Sequence, residues 1–463
     1  MEIRQFDLPG LGHLSALLVD ETSGRAAVID PRRDVDIYLE AVARRGLRIG
    51  HVLETHLHND YVSGARELAA LTGARHVIGA GADLGTDCLP VRDGQTIDVG
   101  RLHVTALETP GHTPEHVSYA VRNAGTGAGA GPEAIFTGGS MLVGSVGRTD
   151  LLGAEHARPY ALDMHRSLHQ ALLRQPDETG ILPTHGAGSL CSRGIGEAWS
   201  STVGIERATD PLLAIEDPDA FADALLAGQP AYPRYFARMR SLNRAGPRML
   251  GAIPEPQPLD VPAVRDRLAG GAQLIDLRRA AAFAAAYVPG SVSLPADASF
   301  GTWLGWVVEP DRPLVLLLPQ PAAWDDAVRQ ALRVGYDTIV GYLDGGLEAW
   351  HAAGGQVAAG QARTVLELAA AMQGSEPPLV LDVRQADEYA SAHVPGSQHL
   401  MAGDLPDRLA ELPRDRAIAT ICASGYRSSV AASLLRQAGF QDVAWVEGGV
   451  PTWQAAGLPV EIG

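Results

Sequence analysis

The 463-residue chain contains no lysine, so all 37 of its lysine-or-arginine positions are arginine. Without a lysine amine, Schiff-base chemistry on this chain is excluded. The 54 acidic residues outnumber these arginines and give a formal net charge of −17. A surface of that sign repels phosphate groups, and we therefore expect neither nucleic acid nor a membrane as a partner.

Cysteines and long apolar runs are also scarce. Cys88, Cys191 and Cys422 are too few and too widely spaced for a disulfide framework, and none belongs to a C-x-x-C pair. No apolar run reaches the roughly 18 residues that span a bilayer, and residues 1–6 lack the pattern of a signal peptide. These absences predict a reducing, cytoplasmic setting.

The length of the chain predicts about three domains, and two of them are copies of one fold. The copies share short motifs in the same order. IDLR at 275–278 recurs as LDVR at 381–384, YVPGS at 287–291 as HVPGS at 393–397, and LDGG at 343–346 as VEGG at 446–449. Each copy alternates apolar strands with helical stretches, which is typical of a parallel sheet covered by helices.

The first part of the chain has a different pattern, with many short strands and few helices, which resembles a two-sheet sandwich with helices outside. A Gly/Ala-rich stretch at 123–132 is interpreted as a flexible hairpin tip. The proline-rich stretch 246–262 is interpreted as a linker. The predicted domains are therefore 1–246, 247–358 and 359–463.

The second copy carries a cysteine between a predicted strand, 417–421, and a predicted helix, 428–437. The connecting segment consists of Cys422, Ala423, Ser424, Gly425, Tyr426 and Arg427. Backbone N–H groups of such a loop and the positive end of the helix favour an anion, so we expect Cys422 to be a thiolate nucleophile that carries a persulfide. The small residues let the backbone approach the sulfur, and Arg427 adds positive charge. The alternative interpretation is a buried, inert cysteine.

The first copy lacks this sulfur site. Its predicted strand at 314–318 continues into Pro319, Gln320 and Pro321 without a cysteine. Because the two prolines remove N–H donors from the loop, this copy is not expected to carry sulfur in the same manner. We predict a structural or docking role for it.

Histidines follow several predicted strands of the first domain. His56 and His58 lie in T-H-L-H-N-D-Y after a strand, and His112 and His185 follow two others. Strand ends on one edge of a sheet converge, so these imidazoles are placed as metal ligands must be. The sequence therefore predicts a metal site. The remaining histidines considered lack this context and are interpreted as ordinary surface or helix residues: His76, His103, His165 and His169.

The motifs of the second copy resemble those of single-domain rhodaneses. D-V-R at 382–384, H-V-P-G-S at 393–397, the six-residue cysteine loop and E-G-G at 447–449 carry this resemblance. It extends over about residues 360–463.

Residues 1–250 resemble the metallo-β-lactamase superfamily through their histidine motifs. G-R-T-D at 147–150 and Y-F-A-R-M at 235–239 narrow the resemblance to persulfide dioxygenases fused to rhodanese domains. The implied fold class is α/β, with an N-terminal metallo-β-lactamase-like αββα sandwich followed by two rhodanese-like parallel-sheet α/β domains.

The resemblance implies one Fe(II) per chain, held by two histidines and a carboxylate. By residue match, His56 and His112 would be the histidine ligands, and Gly139 stands where the carboxylate is expected. Three alternatives follow. Water or substrate sulfur completes the shell, Asp60 or Asp150 replaces the carboxylate, or the domain is a metal-free scaffold.

The resemblance also assigns the residues around this metal. His58 and Asp60 would support the ligands or act as ligands themselves, and Tyr61, Arg148 and His185 would line the pocket. Tyr61 stands where the binuclear hydrolases of the superfamily have a histidine. A two-metal thioester hydrolase of the glyoxalase type is therefore disfavoured.

The function implied by the resemblance is that of an enzyme of hydrogen sulfide metabolism. Its rhodanese domain, with Cys422 and Arg427 as catalytic residues and no cofactor, would transfer sulfane sulfur from thiosulfate or a persulfide to a thiol or cyanide. The first domain would oxidise glutathione persulfide to sulfite with Fe(II). The implied partners are persulfides, thiosulfate, sulfite, glutathione and further copies of the chain in a homo-oligomer. The alternative is a sulfurtransferase or a persulfide sensor with a metal-free, non-catalytic N-terminal scaffold.

Overall fold

The computed structural model of the protein describes residues 1–125 and 131–463. Residues 126–130, at the centre of the predicted hairpin tip at 123–132, lie outside the described residues. Within the described ranges, every helix is too short or too polar to cross a lipid bilayer.

The chain forms two compact units. One comprises Met1–Ala252 with Leu332–Gly335, and the other comprises Ile253–Ala331 with Tyr336–Gly463. Both sequence copies contribute to the second unit. The division into three domains that the sequence suggests therefore stays a prediction.

The first unit is built on two sheets, each with six strands in the part of the chain that the structure describes. The strands of one sheet lie side by side in chain order: β1 (Glu2–Leu8), β2 (His13–Asp20), β3 (Arg25–Ile29), β4 (Arg48–Leu53), β5 (Arg75–Gly79) and β6 (Leu89–Val91). Those of the other sheet do the same: β7 (Thr96–Val99), β8 (Leu102–Glu108), β9 (Val117–Asn123), β10 (Ala134–Gly138), β11 (Gly180–Pro183) and β12 (Ser201–Thr202). Apolar side chains of both sheets, such as Leu18 and Val104, form one core between them.

Six helices among the described residues of this unit lie outside the core between the two sheets. They are α1 (Asp36–Ala43), α2 (Ala65–Thr72), α3 (Ala154–Ser167), α4 (Val203–Thr209), α5 (Pro218–Leu226) and α6 (Phe236–Ala245). A turn of π-helix at Leu168–Leu172 extends α3, and a 3₁₀ turn lies at Ala80–Ala82. Side chains of α1 and α2 pack on the first sheet, and those of α3 and α5 on the second. The expected αββα sandwich is confirmed.

The second unit contains two parallel sheets of the same topology. The first has β13 (Pro258–Leu259), β14 (Gln273–Asp276), β15 (Val292–Ser293), β16 (Leu314–Leu317) and β17 (Ile339–Leu343). The second has β18 (Gln361–Arg363), β19 (Leu379–Asp382), β20 (Gln398–His399), β21 (Ile418–Ile421) and β22 (Val443–Val446). Their spatial orders are β13-β17-β16-β14-β15 and β18-β22-β21-β19-β20, so equivalent strands occupy equivalent places. The two rhodanese-like folds expected from the repeats are confirmed.

The helices of this unit connect its strands. In the first copy they are α7 (Val261–Ala269), α8 (Ala280–Ala285), α9 (Phe300–Val307), α10 (Trp324–Arg333) and α11 (Gly346–Ala352). In the second copy they are α12 (Val365–Met372), α13 (Ala386–Ser391), α14 (Leu405–Arg408), α15 (Tyr426–Gln437) and α16 (Gly449–Ala455). Short 3₁₀ turns lie at Pro321–Ala323, Ala402–Asp404 and Leu409–Glu411.

The repeated D-x-R motif forms an ion pair at the end of one strand in each copy, buried in the second copy and partly buried in the first. Arg384 donates to both carboxylate oxygens of Asp382, at 2.9 and 2.6 Å, and to the carbonyl of Ala392 at 2.6 Å. Arg278 makes the corresponding pair with Asp276 in the first copy. Each pair ties a strand end to the chain that follows.

Arg384→Ala is expected to lower the free energy of unfolding by roughly 3–5 kcal/mol, because it leaves the Asp382 carboxylate buried without its counter-ion. Arg408→Ala removes an exposed pair with Glu411 and is the control, with no measurable change expected. Chemical denaturation of the full chain checks both variants. Equal losses in the two would contradict this explanation.

The helix after the cysteine begins earlier than the sequence pattern predicts. It starts at Tyr426 instead of residue 428, because Gly425 adopts a left-handed conformation with φ +101° and turns the chain directly into α15. Tyr426 and Arg427 therefore belong to the first helical turn. The connection itself is reduced to Cys422 and the three small residues that follow it.

Candidate sulfur and metal sites

Cys422 directly follows β21, and its side chain is fully buried. Gly425 donates its N–H to the sulfur over 3.1 Å, and Ser428 Oγ lies 3.6 Å from the same atom. The Cys422 carbonyl accepts from Val450 N–H at 2.8 Å, which ties the loop to α16. The sulfur thus lies at the N-terminal end of α15 with a backbone donor directed at it, an arrangement that stabilises a thiolate or persulfide anion.

The guanidinium of Arg427 is directed to Glu388. It donates to both carboxylate oxygens, at 2.5 and 2.7 Å. Burial would lower the pKa of Arg427, yet Glu388 and the neighbouring Cys422 outweigh burial and raise that pKa. Arg427 therefore carries a permanent charge, and its direct partner is a residue that the sequence pattern did not indicate.

The cysteine-free copy borders the sulfur loop. Tyr426 donates its hydroxyl to the Pro295 carbonyl at 3.3 Å, and its ring centroid lies 6.3 Å from that of Trp303 on α9. Further along α15, Ser433 Oγ accepts the N–H of Ser293 at 3.0 Å. The first copy therefore packs on the helix whose start holds the sulfur.

Five side chains of the first unit meet beyond the ends of its strands. His56 and His58 follow β4, with Asp60 two residues further on, His112 follows β8, and His185 follows β11; all five are buried. The ring centroid of His56 lies 4.8 Å from that of His112 and 5.5 Å from that of His185. The structure thus brings together the histidines that the sequence placed at strand ends.

Two overlapping groups of these residues have the spacing of metal ligands. In the first, one ring nitrogen each of His56, His112 and His185 lies within 4.8 Å of the others. In the second, ligand atoms of His58, Asp60 and His185 lie within the same distance. His185 belongs to both groups, as its place at a strand end suggested, whereas the family resemblance placed it only in the pocket lining.

Hydrogen bonds determine which ring nitrogen His56 and His112 leave free. The Thr55 hydroxyl donates to Asp30 Oδ2 at 2.8 Å, so it can only accept from His56 Nδ1, which lies 2.8 Å away. His112 Nδ1 donates to the Arg148 carbonyl at 2.7 Å. The Nε2 atoms of both histidines are left buried without a hydrogen-bond partner.

These nitrogens keep their lone pairs at neutral pH. Burial lowers the pKa of His112 to about 3 and holds the pKa of His56 well below its usual value. A buried polar atom without a partner is costly, and a neutral imidazole nitrogen is a ligand for zinc, copper, iron and nickel. The donor set therefore fits a bound transition-metal ion.

The second group is held by neighbouring acids. His58 Nε2 lies 3.2 Å from Asp30 Oδ1, and His185 Nδ1 lies 3.3 Å from Asp60 Oδ2. Burial would raise the pKa of Asp60, but the adjacent His185 and His58 outweigh burial and hold that pKa below its usual value. Asp60 is therefore a carboxylate beside His185.

Helix α6, which contains most of the Y-F-A-R-M segment, holds the histidine loop in place. Tyr235 donates its hydroxyl to the Asp60 carbonyl at 2.7 Å. Asn243 donates to the carbonyls of His58 and Tyr61, both at 2.9 Å. Tyr235 and helix α6 thus position the histidine loop by donating hydrogen bonds to the backbone carbonyls of that loop.

The other two residues predicted to line the pocket, Tyr61 and Arg148, have different hydrogen-bond partners. Tyr61 is buried, with its hydroxyl 3.3 Å from the Asp30 carbonyl. The side chain of Arg148 bonds Asp150 at 2.6 and 2.8 Å, so Arg148 contacts the cluster through its carbonyl instead. In the ranges that the structure describes, Asp150 joins neither metal group, which removes the support for it as a replacement ligand.

Two site residues escaped the sequence analysis. Asp30, with an unusual φ of +49°, directly follows β3 and accepts from the N–H and hydroxyl of Thr55. His116 binds Thr109 Oγ1 through Nδ1 at 2.8 Å and accepts the N–H of Gly139 at 2.9 Å. Both are ionisable residues close to a strand end, which is the same pattern that identified the other histidines.

The expectation for His76 was wrong. It lies buried on β5, with Nε2 2.5 Å from the Glu54 carboxylate, and is therefore neither a surface nor a helix residue. Polar side chains paired in this way are tolerated inside a protein. The sequence did not reveal this partner, Glu54, which directly follows the neighbouring strand β4.

Gly139 has no room for a side chain in this arrangement. A Cβ added there would lie 2.3 Å from Cδ2 and 2.7 Å from Cγ of the His112 ring. The backbone of Gly139 does not have positive φ, so space, and not conformation, requires the glycine. The His112 ring occupies the volume that a side chain at position 139 would need.

Gly139→Ala is expected to displace the His112 ring and to cost about 1–3 kcal/mol of stability, the usual penalty for overpacking. Gly180→Ala, on β11, is the matched control, because its Cβ would meet no atom closer than 3.5 Å. Thermal unfolding of metal-free protein measures the difference. An unchanged midpoint in Gly139→Ala would show that the ring moves freely.

Comparisons with known proteins agree with this architecture. The rhodanese-like domain family matches residues 260–353 and 364–456, and the metallo-beta-lactamase superfamily matches residues 9–84. A metallo-beta-lactamase structure from Staphylococcus aureus superposes with a TM-score of 0.67 at 30% identity, covering 74% of this chain and 98% of that one.

Curated relatives match the first unit. The chain is 35% identical to a hydroxyacylglutathione hydrolase of Methylococcus capsulatus over 173 residues, which are 36% of this chain and 60% of that protein. It is 30% identical to the mitochondrial persulfide dioxygenase of Homo sapiens over 193 residues, 40% of this chain and 67% of that protein. The chain therefore spans less than two thirds of the hydrolase and about two thirds of the dioxygenase.

Proposed function

Because the chain belongs to the family in which a persulfide-dioxygenase-type metallo-β-lactamase domain precedes two rhodanese domains, we propose that it is a bifunctional enzyme of sulfur metabolism. Its second unit transfers sulfane sulfur through Cys422. Its first unit oxidises glutathione persulfide to sulfite.

The sulfur-transfer proposal rests on the N–H of Gly425 directed at Cys422 Sγ. The Cys422 thiolate attacks the outer sulfur of thiosulfate, the sulfur–sulfur bond of the donor breaks, and sulfite leaves with its electron pair. A thiol or cyanide then attacks the outer sulfur of the enzyme persulfide and returns the electron pair to Cys422. Gly425 and the start of α15 stabilise the anion at both stages, and the Arg427 charge supports it.

The oxidation proposal rests on the unpartnered, buried ring nitrogens of the first unit. One Fe(II) per chain would be held by His56 and His112 with the residues around them, and it would supply the activation of oxygen. Overall, persulfide, oxygen and water give thiol, sulfite and two protons. Gly139 and Tyr61 occupy positions where a two-metal hydrolase needs ligands, which disfavours hydrolysis of a thioester.

The two activities suit one chain. Sulfite from the first reaction is a nucleophile for the Cys422 persulfide, and its attack on the outer sulfur gives thiosulfate and the free thiolate. Fusion raises the effective concentration of the shared intermediate. We propose thiosulfate, sulfite, persulfides and glutathione as small-molecule partners, a homo-oligomer as the assembled form, and a cytoplasmic location consistent with three free cysteines.

Mass spectrometry tests the transfer proposal. Incubation of the intact protein with thiosulfate, followed by alkylation and digestion, is expected to add one sulfur atom to the peptide containing Cys422. Cyanide is expected to remove it and form thiocyanate. Sulfur found only on Cys88 or Cys191 would overturn the assignment.

Oxygen uptake tests the oxidation proposal separately. Cys422→Ala, reconstituted anaerobically with Fe(II) and given glutathione persulfide, is expected to consume oxygen and form sulfite above its metal-free control. No uptake, with no iron retained, would favour the alternative of a sulfurtransferase or persulfide sensor on a metal-free scaffold.

A further inference from the structure

We propose that the metal ion of the first unit is bound by three neutral imidazoles, those of His56, His112 and His185, without a protein carboxylate among its ligands. This inference rests on the proposed metal-dependent function and names the ligand set that makes it possible. It differs from the set of two histidines and one carboxylate that the sequence resemblance implied.

The three rings converge on one buried point. One nitrogen of each lies within 4.8 Å of the others, and the centroids of His112 and His185 are 5.3 Å apart. The Nε2 atoms of all three are buried without a hydrogen-bond partner. Three lone-pair donors left unsatisfied together are expected where an ion binds, because each alone would carry a desolvation cost.

The carboxylate of Asp60 lies beside one of these rings. It lies 3.3 Å from His185 Nδ1, and an ionised carboxylate can only accept a proton. Both ring nitrogens of His185 lack a hydrogen-bond partner, as do both oxygens of Asp60. A proton on Nδ1 would face this carboxylate and would leave the lone pair of Nε2 for the ion. A carboxylate behind a histidine is the usual support of a metal-binding imidazole, so Asp60 acts here as a positioning residue.

Gly139 is explained by the same arrangement. The ring of His112 fills the space where a Cβ at position 139 would lie, and the Gly139 N–H is bonded to His116 Nε2 at 2.9 Å. A side chain at this position and the present place of the His112 ring exclude each other. His185 supplies the third ligand that position 139 cannot.

The charge of the site follows from its ligands. Three neutral imidazoles leave the full double positive charge of a divalent ion, whereas a carboxylate would cancel half of it. Such an ion attracts an anion at its open positions more strongly. The inferred ligand class is an anionic sulfur species, such as the deprotonated persulfide of the proposed reaction.

Metal titration tests the ligand set without relying on activity. The apo full-length protein is titrated anaerobically with Co(II), and the visible absorption of the Co(II) complex gives the dissociation constant. Apo protein loaded with Fe(II) instead and then desalted gives the stoichiometry from its iron content. Wild type is expected to bind one ion. His185→Gln and His112→Gln should each weaken binding more than Asp60→Asn, which should weaken it by about 10- to 100-fold, the range for a residue that orients a ligand.

A matched control is His76→Gln, which changes a buried histidine of the same unit outside the cluster and should leave Co(II) binding unchanged. Circular dichroism confirms that each variant folds. A greater loss in Asp60→Asn than in His185→Gln would make the carboxylate a ligand and overturn the inference. Binding that survives His56→Gln but is lost in His58→Gln would place the ion in the second group and overturn it as well.

The failures of the inference and of the proposed function are distinguishable. An ion bound through the three histidines without oxygen uptake would leave the ligand set standing and overturn the oxidation proposal. Oxygen uptake together with an ion that needs Asp60 as a ligand would leave the oxidation proposal standing and overturn the ligand set. Wild-type protein that binds no ion at all would overturn both.

Discussion

Replacing Cys422 with serine is expected to abolish the proposed thiosulfate-to-cyanide transfer, with a fall of at least about a thousandfold in turnover. The serine hydroxyl has nearly the shape of the thiol but is not ionised near neutral pH and cannot carry a persulfide. The N–H of Gly425 and the helix start remain in place, so the loss isolates the sulfur atom itself. Thiocyanate formation at saturating thiosulfate is the measurement.

Cys88→Ser is the control for this prediction. Cys88 is a free cysteine of the first unit, is partly exposed and has no part in the sulfur loop, so its variant should turn over at the wild-type rate. Oxygen uptake by Cys422→Ser should also remain. If transfer persisted in Cys422→Ser and disappeared in Cys88→Ser, our proposal would have assigned the sulfur to the wrong cysteine.

Gly449→Ala is expected to abolish transfer and to lower the free energy of unfolding by more than about 4 kcal/mol, an exceptional value for one methyl group. A Cβ at this position would lie 2.0 Å from the Cys422 carbonyl oxygen and 2.6 Å from the Ala423 carbonyl carbon. Both are backbone atoms of the sulfur loop and cannot rotate away. Turnover and chemical denaturation of the intact chain measure the two effects.

Gly346→Ala is the matched control, because Gly346 holds the equivalent position in the cysteine-free copy. Its φ of +62° is almost that of Gly449, +61°, so the conformational cost of a side chain should be the same, about 1–2 kcal/mol. Its Cβ would meet only the end of the Glu348 side chain, at 3.3 Å. Transfer should therefore survive in Gly346→Ala, and equal damage in both variants would show that strain, not the loop contact, is responsible.

Much of the fold was predictable because it depends on local patterns and on repetition. The strand before Cys422 was expected at 417–421 and is found at Ile418–Ile421. The repeated motifs predicted two copies of one fold, and the two sheets have the same strand order. The alternation of apolar strands and helices depends on the order of consecutive residues, so it can be predicted without the tertiary structure.

The candidate sites were predictable as residue types at strand ends. Cys422, His56, His58, His112 and His185 were all singled out, and the structure places the four histidines in one cluster. Their partners were not predictable to the same extent. Glu388, which binds Arg427, lies 39 residues before it on another helix, and no periodic pattern links the two.

The sequence by itself determined which reactive groups the chain carries, since a cysteine sulfur, strand-end imidazoles and the missing lysines are properties of residue type. It also determined the repeat and the α/β class. Only the tertiary structure decided that Gly139 lies under the ring of His112 and that His185 joins His56 in a common group. The reason is physical: hydrogen bonds, burial and free volume depend on which atoms packing brings together, often from segments more than a hundred residues apart in the chain.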